Sequence, residues 1–159
     1  MSTVALRIAL SAWLVALQLF VAASAGAAGQ LVDDSGTLPY DAMFRLTWRT
    51  PAPHVGAADN ALIGTTQLRV HLNVAPWLRH SGRIYLVLPV QPPGDLLVSW
   101  TTQGHLMPGT LRPGSRALVY AGRITTPYLE DQVLLSIALD AARLQQLTRV
   151  NFHFEIDED

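Results

Sequence analysis

Residues 126–149 read TPYLEDQVLLSIALDAARLQQLTR, and the fold class turns on whether this stretch is a helix or a strand. The case for a helix is real. Thr126 and Pro127 suit a cap and first turn, and Leu129, Val133, Ile137, Ala141 and Leu144 recur near helical spacing. Against it, Val133, Leu135, Ile137 and Leu139 alternate with Gln132, Ser136 and Asp140, interrupted by Leu134 and Ala138. A period of two puts one set of side chains on one face of an extended strand. The reading adopted is a strand to about Leu139, followed by a short helix or turn through Leu147. On that reading the segment pairs with the last strand.

The rest of the chain favours the strand. TTQLRVHLNV (65–74) points Leu68, Val70, Leu72 and Val74 one way and Gln67, Arg69, His71 and Asn73 the other. RVNFHFEIDED (149–159) alternates Val150, Phe152, Phe154 and Ile156 with Asn151, His153, Glu155 and Asp157. AMFRLTWRT (42–50) alternates likewise through Phe44, Leu46 and Trp48. RIYLVLPV (83–90), LLVSWTTQ (96–103) and RALVYAGRIT (116–125) complete the set, while 50–60, 91–95 and 105–115 carry the prolines and glycines of loops. Strands separated by turn signals every ten to fifteen residues predict an all-β fold, an antiparallel β-sandwich of immunoglobulin-like type with about seven strands and a short helix near 140–147. The expected core is Phe44, Leu46, Trp48, Leu68, Val70, Leu72, Leu86, Val98, Trp100, Leu118, Val133, Ile137, Val150, Phe152, Phe154 and Ile156.

Residues 1–28 have the parts of a secretory signal peptide. Arg7 precedes an uncharged apolar run from Ile8 to Ala23, and small residues follow at Ala25, Gly26, Ala27 and Ala28. Cleavage is expected after residue 25, 27 or 28, leaving a lead-in at 29–41, read as mobile, and one domain at 42–159. The destination is the periplasm or the cell exterior, with no membrane contact after cleavage. The eleven basic residues are all arginine. With Arg7 in the leader, the mature chain holds ten against twelve acids. A net charge of −2 gives no basic field for nucleic acid. There is no cysteine, which removes disulfide scaffolds, thiol nucleophiles and thiolate metal sites together.

Candidate chemistry is sparse. His153 and Glu155, two apart on one strand face, stand about 6.6–7 Å apart and would bind a metal only with a third ligand. His71 supplies it if the two best-patterned strands pair. The competing reading is an ordinary polar face, with Arg69 or Arg45 pairing to Glu155 across strands. Trp77, beside Arg79 and His80 in the turn APWLRHSG, fits an exposed platform on which a sugar ring stacks, or else a plug for one end of the fold. No serine sits in a nucleophile elbow, no glycine-rich nucleotide loop is present, and Asp95 and Asp131 read as turn formers. No cofactor is expected. The expectation is therefore a non-enzymatic binding or structural module whose partner is another exported protein. The alternatives are a small carbohydrate-binding module and a metal-binding protein or enzyme using His153 and Glu155.

Overall fold

The computed structural model describes residues 29–39, 45–49, 60–146 and 149–159. The leader and the expected core residue Phe44 lie outside them. Ten strands are described: β1 (Gln30–Val32), β2 (Leu38–Pro39), β3 (Arg45–Trp48), β4 (Ala61–Asn73), β5 (Ser81–Leu88), β6 (Leu97–Thr102), β7 (Gly109–Leu111), β8 (Ser115–Arg123), β9 (Tyr128–Asp140) and β10 (His153–Glu158). All pairings are antiparallel. One sheet runs β1-β10-β5-β8; the other runs β2-β4-β9-β6-β7, with β3 also on β4.

The ambiguous stretch is a strand. β9 pairs along its full length with β4, from Ala61 opposite Asp140 to Asn73 opposite Tyr128, and with β6 on its other side. Two ladders outweigh the helix propensity of its leucines and alanines, because propensity is a weak prior once tertiary partners exist. The chain then closes into a 3₁₀ segment, Ala141–Gln146, where the short helix was expected. The expected pairing with the last strand is corrected: β10 lies in the other sheet, between β1 and β5.

The lead-in expected at 29–41 contributes residues 30–39 to both sheets. Val32 is buried and pairs with Phe154 in the four-stranded sheet. Asp33 then bridges to Asn73, Thr37 bonds to His71, and Leu38 pairs with Arg69 in the six-stranded sheet. The turn residues between them mark a switch of sheets, not a free end.

Side chains from both sheets meet in a single buried cluster that includes Leu68, Val70, Leu72, Val98, Trp100, Val133, Ile137, Phe154 and Ile156, with Leu46, Val150 and Phe152 packed partly buried against it. Two expectations fail. Trp48 is 46 % exposed, since β3 is a short edge strand with β4 on one side. On β8 the buried residue is Val119, with Leu118 only half-buried. The register with β5 shifts between Ile84 and Tyr85, pairing Tyr120 with Ile84 and Leu118 with Tyr85, so Val119 is the extra residue of a bulge. The expected loop at 105–115 contains β7, which is laid on Trp100. A Cβ at Gly109 would sit 2.7 Å from the indole, and the indole N–H donates to the Met107 carbonyl at 2.9 Å.

Candidate interaction face

The residues that interrupted the alternation of β9 explain themselves on its outer face. Leu134 and Ala138 point away from the core, between Gln67 and Thr101 in one row and Ile63 and Leu97 in another. Between those rows lies Thr65, Ser136 and Ser99, extended by Thr110 on β7. Three rows across three strands thus give nine positions: Ile63, Thr65, Gln67, Leu134, Ser136, Ala138, Leu97, Ser99 and Thr101. None bears a charge, and Leu134 is 45 % exposed. Strand spacing of about 4.8 Å and a two-residue rise of about 6.8 Å make this field roughly 14 Å by 20 Å.

Charge resumes at its borders. At one end stand Arg69 and then His71 opposite Glu130. At the other, Asp140 lines a hollow of about 240 Å³ with Arg49, Asp95 and Arg112, and Arg143 approaches Asp95 to 3.9 Å. On the β3 side Arg45 stands opposite Thr65 in the register. A charge-depleted centre inside a polar rim is the anatomy of a protein interface. The signal was present in the sequence as uncharged residues at alternate positions of 61–67, 97–101 and 134–138, but no single-strand pattern shows that the three segments are neighbours.

The residues singled out for a metal are not brought together. His153 and Glu155 share β10, with Nε2 and Oε1 3.1 Å apart. His71 lies on β4 in the other sheet, its Nδ1 2.7 Å from Glu130 and its ring stacked 4.8 Å from Tyr128. Among the described residues no three His, Asp or Glu side chains gather as a metal site. The strands that carry Arg69 and Arg45 belong to the other sheet. The cation beside Glu155 is Arg116, 4.0 Å from Glu155, 3.2 Å from Asp157 and 4.2 Å above the Tyr85 ring.

The Trp77 platform is also corrected. The 3₁₀ turn Ala75–Trp77 rolls the indole into the core, where it is 6 % exposed, so it plugs one end of the fold and offers no stacking face. Arg79 and His80 remain exposed beside it. Arg79, at φ 74°, is fixed in this conformation by its N–H to the Ile124 carbonyl (2.8 Å), while His80 accepts from the Ile124 N–H (2.9 Å).

Asp131 is not in a turn but holds one from a distance. It is 6 % exposed in β9, and its carboxylate accepts N–H groups from Gln103 (3.3 Å), Leu106 (2.8 Å) and Gln132 (2.7 Å). Burying a carboxylate requires such donors, and together they fix the β6–β7 turn.

Comparison with protein-family models, with curated proteins and with solved structures yields no match for this chain.

Proposed function

We propose that this chain is an exported, non-enzymatic interaction module of immunoglobulin-like sandwich type, which binds another exported protein through the outer face of its six-stranded sheet. The observation that carries the reading is the nine-position field without a charge. Covering those nine positions desolvates no ion, so charge is met only at the rim, whereas covering the outer face of the four-stranded sheet would strip water from at least five charged groups. The field alone is about 280 Å², so a partner of ordinary interface size, about 800 Å² per side, would also cover the rim. Export rests on the signal-peptide anatomy of residues 1–28, and the mature chain is expected to begin at Gly26, Ala28 or Gly29.

A photo-crosslinking amino acid placed at Ser136, in the producing cell, tests the reading against the same residue placed at Val87 on the opposite face. A discrete protein adduct from position 136 and none from position 87 is expected. Adducts from position 87 alone, or from neither position, would overturn it.

A further inference from the structure

At one end of the fold two hollows adjoin, of about 530 Å³ and 510 Å³, and both are walled by His105 and Glu130. Each lies within the size range of small-molecule sites. We propose that this double groove binds a neutral oligosaccharide, with the Tyr128 ring as its stacking platform. The second hollow shares Arg69 and Glu130 with the rim of the protein-binding face, but the proposal rests on separate observations and a separate test.

Three observations carry it. Tyr128 lines the first hollow and is 48 % exposed, yet it is not a loose side chain. Its ring lies against His71 at 4.8 Å and 29°, and His71 is tied to Glu130 at 2.7 Å and to Thr37 through its backbone N–H at 3.1 Å. A ring oriented before the ligand arrives costs little conformational entropy on binding. Second, the platform is followed by groups that match hydroxyls. Thr125 lies in the first hollow, beside Thr126, whose hydroxyl donates to the Tyr128 carbonyl at 2.8 Å, and Gln103 lies in the second. Third, the formal charge is small. Arg69 stands against Glu130 and Asp131, a net of −1, and the Asp131 carboxylate is already taken by three backbone N–H groups. The groove therefore offers an aromatic face and hydrogen bonds with little net charge, which suits an uncharged polyol ring. An anionic sugar would meet a lining of net −1.

The test is a titration of the isotope-labelled mature protein with maltohexaose, cellohexaose and chitohexaose, and with a sulfated hexasaccharide as the charged arm, followed by amide chemical shifts. At least one neutral sugar should shift the amides of 103–106 and 125–130 along a saturable curve. Tyr128→Ala should weaken that binding by about tenfold or more, while Tyr128→Phe, which keeps the ring and the fold, should bind like the parent. No shift with any neutral sugar, shifts confined to other residues, binding of the sulfated sugar alone, or Tyr128→Ala binding unchanged would each overturn the proposal.

Discussion

On the outer face of the four-stranded sheet, Arg116 reaches Asp157 and Glu155, Arg83 pairs with Asp159, and His153 bonds Glu155. On the outer face of the six-stranded sheet, nine neighbouring positions pass without one charge. Both faces have the same pleated backbone, and both turn their other side to the same core. Stability does not explain the contrast, since exposed ion pairs add only about 0–1 kcal/mol each. What differs is the cost of drying the surface. Covering a face of paired charges desolvates them, whereas covering the nine uncharged positions does not. The contrast is what the proposal of a partner on the uncharged face rests on.

Because the two sheets share one core, truncation on either side should weaken both. Phe154→Ala, on the four-stranded side, is expected to lower unfolding free energy by about 3–5 kcal/mol, and Leu135→Ala, on the six-stranded side, by about 2–5 kcal/mol. Urea melts should remain single transitions for both. A biphasic melt would mean that the sheets unfold separately. Next, Asp131→Ala strands backbone donors at the β6–β7 turn and should cost about 2–3 kcal/mol by the same measurement. A change under about 0.5 kcal/mol would show that the carboxylate is incidental. Smaller again, Arg116→Ala removes exposed pairs and should cost less than about 1 kcal/mol in a thermal or urea melt. A larger loss would make the charged face structural and weaken the contrast drawn here.

The smallest effect concerns Asp34, at the crossover between the sheets. Burial lifts its carboxyl above the ordinary value of 3.8, opposed by its own backbone N–H and by the charge of His153. The folded chain thus favours the protonated form. That contribution is fully present below the unfolded value and is lost as pH rises through the folded one. At pH 7 the ionised group works slightly against folding. Asp34→Asn should therefore raise stability at pH 7 by less than about 0.5 kcal/mol, because much of the side chain meets water. The gain should fade towards pH 3. Melting temperatures of the pair across that range check the sign, and a gain that grows on acidification would reverse it.

Much of the fold was legible because alternation is a local signal. The inward faces of β4, β6, β9 and β10 follow directly from Leu68, Val98, Val133 and Phe154. What was not legible depends on neighbours distant in sequence. The bulge that buries Val119 in place of Leu118 is set by the partner strand, and the edge position that leaves Trp48 exposed is set by sheet order. The inward roll of Trp77 comes from a turn bonded to Ile124. His71 and His153 look alike in pattern, and only the assignment of β4 and β10 to different sheets separates them. The uncharged face was the least legible feature of all. Its strongest clue, Leu134 and Ala138, read as a defect in the strand.

The decisive quantity is the affinity of the protein crosslinked from position 136 for the parent chain and for two variants. Leu134→Arg places one charge in the middle of the uncharged field, and Arg116→Glu reverses one on the opposite face. Both change only exposed side chains. Measured by surface binding kinetics, Leu134→Arg is expected to weaken the complex by about tenfold or more, and Arg116→Glu to leave it within about twofold. Equal affinity for the parent and Leu134→Arg, or a loss confined to Arg116→Glu, would contradict it.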